Sequence, residues 1–330
     1  MPSYFAQALS AIEPGADADS ARKAHAEVSD ALKSAAPLAR LGISPVLIGS
    51  YAREVSTRRV KDVDVFGRLQ DADENLRPGR AIDLFEDALA QSFGDKRVER
   101  QARSIKVSFD EYDLSVDAVP ARPRGHHWEI PKKTDHDNRA SWIETNPTRL
   151  TELSTETNKK YMLSGKGIYV PVVKLVRQVR RAWVRDQPGG LFFEILTYWA
   201  FNDGKPAAAS HAGYLVAVLD YIEKELPAVA EDGLRDPTLD GKLIDTRATG
   251  PDFTDAISEM TKAALLARNA LAEQDDCRAA LAWRQLLGDN TESETVFPIP
   301  EYCNADGTRR SGSAAIKGAV TAPAGSGRYA

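Results

Sequence analysis

The sequence predicts an α+β protein in two lobes, and three observations predict it. Strand patterns crowd into the first half of the 330 residues, at Val46-Leu47-Ile48, Lys61–Phe66, Val98–Phe109 and Tyr112–Val119. From Pro171 onward the apolar residues recur at helical spacing. Hydrophobic content of 42% and charged content of 28% are ordinary for a globular chain, and the length suits two domains. The predicted partition is 1–165 for a lobe with a mixed sheet and a long N-terminal helix, 166–303 for a helical bundle, and 304–330 for a tail.

Taken in order, Ala6 to Ile12 suits a short helix. Residues 17–40 suit a long one, with Asp17 and Asp19 at its start. Ala24, Val28, Leu32, Ala35 and Leu38 form its apolar stripe, and Pro37 kinks or ends it. Residues 80–94 carry a second stripe of Ile82, Leu84, Phe85, Leu89 and Phe93. Val98–Phe109 and Tyr112–Val119 read as a hairpin turning at Asp110-Glu111. Residues 120–165 are rich in proline and glycine and read as loops. Helices follow over about 172–183, 191–201, 211–226, 252–273 and 276–288, with a loop over 227–250. Leu191–Phe201 is nearly all apolar and should be a buried central helix. Residues 304–330 are mostly small and polar and read as disordered.

Chemistry concentrates in residues 46–68. The apolar run ends at Gly49-Ser50, where turn backbone N–H groups and a hydroxyl could face a triphosphate. In the following strand Asp62 and Asp64 alternate with Val63 and Val65. Two residues apart on a strand share a face, roughly 6.5–7 Å apart. Like charges so placed repel unless a cation lies between them, and hard divalent cations take carboxylate oxygens. Asp117 adds a third carboxylate on the polar side of the hairpin. Lys174, Arg177 and Arg181 share one helix face, which is either a solvated basic stripe or a phosphate-holding one.

Other signals exclude functions. The formal net charge of -5 argues against a protein held on nucleic acid by bulk charge. Cys277 and Cys303 are the two cysteines; their spacing supports neither a disulfide scaffold nor a zinc ribbon. The adjacent His126 and His127 lack ligand partners at metal-site spacing. Ser164-Gly165-Lys166-Gly167 lacks the phosphate-loop spacing. No signal-peptide pattern and no run of about 20 apolar residues appears, so the expected place is the cytoplasm, with no membrane partner.

Gly49-Ser50, then Asp62-x-Asp64, then distant Asp117 resemble the signature of the polymerase-β-like nucleotidyltransferases. More narrowly, Gly49-Ser50-Tyr51-Ala52-Arg53 leading to Asp62-Val63-Asp64-Val65-Phe66 resembles the bacterial CD-NTases, relatives of cyclic GMP–AMP synthase and oligoadenylate synthetase. Trp142, Thr145-Asn146-Pro147, the Lys174 helix, Phe192-Phe193-Glu194 and Asp236-Pro237 fit that resemblance over residues 15–300. It implies a bilobal polymerase-β-like fold. It implies a cyclic di- or trinucleotide made from nucleoside triphosphates, ATP among them, as an anti-phage (CBASS) signal read by a downstream effector.

By the resemblance, Asp62, Asp64 and Asp117 are catalytic and hold two Mg²⁺ ions, with Mn²⁺ able to substitute. Gly49, Ser50 and Lys174 contact donor phosphates, and Arg53, Arg177 and Arg181 are secondary phosphate contacts. Gly189-Gly190 stands where many relatives carry a hydroxyl residue, which leaves Gly190 only a backbone N–H for that contact. Glu54-Val55 stands where many carry Gly-Thr. The zinc-binding insertion of the animal synthase is missing, which argues against DNA sensing. In some defence operons a ubiquitin-transfer-like partner joins the synthase C-terminus to a target, which makes Ala330 a conjugation site; an inert tail is the alternative. A nucleotidyltransferase acting on a small molecule, an RNA end or a protein, and a catalytically silent nucleotide or RNA sensor, stay open.

Overall fold

A computed structural model describes residues 2–15, 17–132, 141–184 and 186–310. These divide into two compact units, Pro14–Glu152 and residues 2–13 together with 153–310. The boundary therefore falls near 152 rather than 165, and the first helix belongs with the helical unit.

α1 (Pro2–Ile12) buries Phe5, Ala8, Leu9 and Ile12, and Phe5 meets Trp283 and Phe297 edge-on at 5.0 and 5.2 Å. α2 (Asp17–Ser34) ends before Pro37, which starts the separate turn α3 (Ala36–Ala39). β1 (Ile43–Ile48) lies at a sheet edge, where Pro45 costs no ladder bond to an outer neighbour. The short helical turn α4 (Gly49–Ala52) leads to β2 (Asp62–Leu69), and α5 (Pro78–Phe93) follows. The single strand expected over Val98–Phe109 is two, β3 (Val98–Arg100) and β4 (Ile105–Phe109), broken where Ser104 closes a local turn onto Gln101. The hairpin turn is a 3₁₀ turn, Asp110–Tyr112, closed by Asp113 in the left-handed region.

The described residues of 120–165 are mostly strand and helix rather than loop. β5 continues from Leu114 to Arg124, and β6 (His127–Pro131) and β7 (Trp142–Thr145) add a hairpin layer. α6 (Pro147–Lys160) begins at a proline, which suits a first helical turn. Pro120 and Pro123 lie within β5, Pro131 ends β6 and Pro147 opens α6, so composition misleads there. Asp62–Arg68 runs parallel to Ser115–Ala121, while the β1–β2 and β4–β5 pairs are antiparallel, in the order β1-β2-β5-β4-β3. Val63, Val65, Val107, Val116 and Ala118 are fully buried in one core with Val28 and Leu32 of α2 and Phe85 and Leu89 of α5. That covers one face of the sheet and leaves the carboxylates on the other.

In the helical unit a short hairpin, β8 (Met162–Leu163) and β9 (Lys166–Gly167), precedes α7 (Tyr169–Trp183) and α8 (Gly190–Trp199). α8 is buried as its composition implies, and a π turn, Ala200–Gly204, ends it. α9 (His211–Asp232) runs through Pro227 into the expected loop, held by buried Leu226. α10 (Gly250–Ala272) opens with a capping box of Thr249 and Asp252, and α11 (Asp276–Leu287) is capped by Asp275. Cys277 and Cys303 form a disulfide, contrary to the reading from their spacing. Their Cα atoms lie 5.5 Å apart because the chain after α11 folds back over it. The tail begins later than 304: Asn304 donates to the Thr308 carbonyl and Arg310 to that of Tyr302. Ala330 lies outside the described residues. None of the described helices is long and apolar enough to cross a membrane.

Candidate active site

β1 carries the chain straight to Gly49, whose φ of +78° turns it off the sheet. A Cβ there would collide with Asp64 Oδ2, so glycine is required by space as well as by conformation. The Ser50 and Ser56 hydroxyls lie 3.0 Å apart, and Val55 N–H donates to the Ser50 carbonyl, which closes the loop. Arg53 is buried in this loop, and its charge acts on Asp64.

Asp62 and Asp64 project from β2 on the face away from the core, while Val63 and Val65 fill the core. The parallel register sets Asp64 opposite Asp117 and Asp62 opposite Ser115. The three predicted carboxylates thus occupy adjacent strands on one face. Ser115 Oγ–H donates to Asp62 Oδ1 at 2.9 Å. Burial, then the charge of Asp117, pushes the Asp64 carboxyl up to about 6, against the pull of Arg53. Burial and the charge of Asp62 raise Asp117, while Lys106 acts against that rise. Asp117 Oδ1 is buried with no hydrogen-bond partner. An unsatisfied, buried carboxylate oxygen is costly unless something positive satisfies it.

Among the described residues no three of His, Cys, Asp or Glu converge tightly enough to form a preformed metal cluster. The donor set nevertheless fits a hard cation. It is all carboxylate oxygen, it is crowded, and one oxygen is left without a donor.

The other predicted phosphate contacts lie in the helical unit. Lys174 is buried on α7, its ammonium 3.4 Å from Glu13. Arg177 is 3.3 Å from Glu194 on α8, and Arg181 is exposed. Gly190 is the first residue of α8, and a Cβ there would meet the Arg177 guanidinium at 3.2–3.3 Å. Sequence reasoning did not single out Ser56, Ser115 or Glu13, and named Glu194 only as part of the Phe192-Phe193-Glu194 helix, without its pairing to Arg177. Ser115 was findable, since it lies two residues before Asp117 on the same strand face. The pairings of Glu13 with Lys174 and of Glu194 with Arg177 gave no local signal.

Residues 1–158 match the family model described as a Second Messenger Oligonucleotide or Dinucleotide Synthetase domain. The chain is 29% identical over 301 residues to the cyclic AMP-AMP-AMP synthase of an Acinetobacter species, covering 86% of this chain and 83% of that protein. It is 25% identical to the cyclic AMP-AMP-GMP synthase of Enterobacter hormaechei, covering 91% of each. The solved structure of Escherichia coli CdnC with ATP superposes with a TM-score of 0.70 at 17% identity, covering 90% of this chain and 98% of that one. Vibrio cholerae DncV superposes with a TM-score of 0.59 at 13% identity, covering 89% and 87%. The carboxylate-bearing mixed sheet, the match over residues 1–158 and these relatives agree: the chain is similar over most of its length to bacterial cyclic oligonucleotide synthases and has the fold of CdnC and DncV.

Proposed function

We propose that this chain makes a cyclic di- or trinucleotide from nucleoside triphosphates, ATP among them, by two-metal nucleotidyl transfer. The observation that carries the site is the pairing of Asp64 with Asp117 on adjacent strands, with Asp117 Oδ1 unsatisfied, beside a glycine turn that admits no side chain. The adenine-based products named for the curated relatives support ATP as a substrate.

Asp62, Asp64 and Asp117 would hold two Mg²⁺ ions, with Mn²⁺ as a substitute. Such ions, when bound, neutralise phosphate charge and activate an attacking hydroxyl. The residues of the chain do the rest. Ser50 and the backbone N–H groups of the Gly49 turn donate to the donor phosphates. Ser115 fixes the Asp62 carboxylate. The acceptor hydroxyl oxygen bonds to the α-phosphorus, the bond to pyrophosphate breaks, and the hydroxyl proton leaves toward Asp117. Lys174, Arg53, Arg177, Arg181 and Gly190 are assigned to phosphate contacts. Lys174 reaches that role by exchanging Glu13 for a phosphate.

The biological reading is an anti-phage signalling enzyme in the cytoplasm, whose product drives a downstream effector. Ala330 is proposed as the point where a ubiquitin-transfer-like partner conjugates the chain. The test is direct. The purified protein is incubated with all four triphosphates and Mg²⁺ or Mn²⁺, and products are read by mass spectrometry. A cyclic di- or trinucleotide is expected, and Asp62→Asn with Asp64→Asn should abolish it while the protein stays folded. Product at near wild-type rate from that double variant would refute the site.

A further inference from the structure

We infer that Lys106 is a substrate contact on the acceptor side, whose ammonium receives the 5′-phosphate of the nucleotide that attacks. This rests on the nucleotidyl-transfer reading above and adds a residue to it.

The sheet register supplies the placement. Lys106 on β4 is the cross-strand partner of Asp117, which is itself the partner of Asp64. Cross-strand partners share a face, at about 4.5–5.5 Å steps. One row therefore runs Asp64, Asp117, Lys106. Its neighbours Ile105, Val107, Val116 and Ala118 are fully buried on the opposite face. Lys106 thus points to the side of the carboxylates, away from the core.

The order of the strands then gives the direction. Gly49 and Ser50 leave the end of β1, and the sheet runs β1-β2-β5-β4. The phosphate-binding turn and Lys106 lie on opposite sides of the aspartates. In-line displacement puts the leaving group and the nucleophile on opposite sides of the reacting phosphorus. If pyrophosphate departs at the Gly49 turn, the acceptor approaches over β5 and β4. Its sugar hydroxyl must reach Asp117, so its own phosphate falls within a side-chain length of that residue. Lys106, the cross-strand partner of Asp117, is a cation within that reach.

The state of Lys106 agrees with a substrate role. Among the described residues no hydrogen bond or ion pair within 4 Å engages its ammonium, unlike Lys174 and Arg177. Asp117 feels its charge without hydrogen-bonding it through Oδ1. Glu99, the next partner along on β3, makes the row negative again and limits the cationic spot to one residue. A half-buried ammonium beside the unsatisfied Asp117 oxygen is complementary to a phosphate oxygen.

The test separates acceptor from donor. 2′,3′-Dideoxy-ATP can donate but not accept; AMP and adenosine can accept but not donate. Wild-type protein should favour AMP over adenosine by about tenfold in kcat/KM, the scale of one charge-assisted hydrogen bond. Lys106→Met should erase that preference, leaving the rate with adenosine and the KM for the donor unchanged. Lys106→Arg should keep most of it. Equal slowing of Lys106→Met with both acceptors, or no AMP preference in the wild type, overturns the inference. A wild-type protein that makes no product from any triphosphate overturns the underlying reading first. Thermal unfolding of Lys106→Met within a degree or two of wild type excludes a folding defect, and the arginine variant decides the matter if it does not.

Discussion

The two units treat charge in opposite ways. On the sheet, Asp62, Asp64 and Asp117 stand together, Asp64 is pushed up to about 6, and one Asp117 oxygen lacks any donor. On α7, buried charge is matched: Lys174 faces Glu13 at 3.4 Å and Arg177 faces Glu194 at 3.3 Å. A fold selected for stability alone would match both. Under the proposed function, the crowded like charge is where a cation and phosphates would bind. The matched pairs hold their cations within the helical unit.

The sharpest way to break this contrast is to disturb the crowded side without touching charge. Gly49→Ala adds a methyl that must displace the Asp64 carboxylate, at a backbone angle of +78° that alanine adopts poorly. Catalytic rate should fall by about a hundredfold, since misplacement of about 1 Å can cost that much. Steady-state kinetics checks this, with circular dichroism confirming the fold. Activity within threefold of wild type would mean that Asp64 has room to spare.

A second variant removes charge from the same side and is read as stability against pH. The folded carboxyl of Asp64 titrates near 6, above its ordinary 3.8, so the native state binds the proton more tightly than the unfolded chain. The sign follows: the stability associated with this group is complete below about pH 4 and is lost as pH rises through 6. Asp64→Asn should stabilise the metal-free protein by about 3 kcal/mol at pH 7 to 8, the free-energy equivalent of moving a carboxyl from 3.8 to about 6. The gain should vanish near pH 4. Denaturant melts at the two pH values decide it, and a gain independent of pH would contradict the crowding.

On the matched side the effect should be smaller and opposite in sign. Arg177→Met removes the guanidinium 3.3 Å from Glu194, which is 1% exposed. Breaking a fully buried pair costs about 3–5 kcal/mol, and Arg177 is 21% exposed, so about 2 kcal/mol is expected. Replacing Glu194 by Gln in the same chain should recover much of the loss. No recovery in the double variant would show that losing the Arg177–Glu194 pair is not the source of the destabilisation.

Much of the site was legible because its signals are local. Strand alternation put Asp62 and Asp64 on one face, and the glycine turn at Gly49-Ser50 lies just upstream in the same stretch of chain. Proline content misled over 120–165, because Pro147 opens a helix while Pro120, Pro123 and Pro131 sit within or at the end of strands, and such prolines look like loop prolines in composition. The helix through Pro227 was missed for the related reason that tertiary burial of Leu226 outweighs a local breaker.

The sequence by itself determined the α+β class, the alternating carboxylates and the apolar stripes, since each depends on periods of two or 3.6 residues within one element. Only the tertiary structure decided that β2 and β5 run parallel, so that Asp64 meets Asp117 across 53 positions of chain. The same holds for Glu13 meeting Lys174, 161 positions away, and for Cys277 meeting Cys303. Such pairings have no local signature. They are fixed when separate elements bury their apolar faces together, and the charges and thiols they carry are brought into contact by that packing.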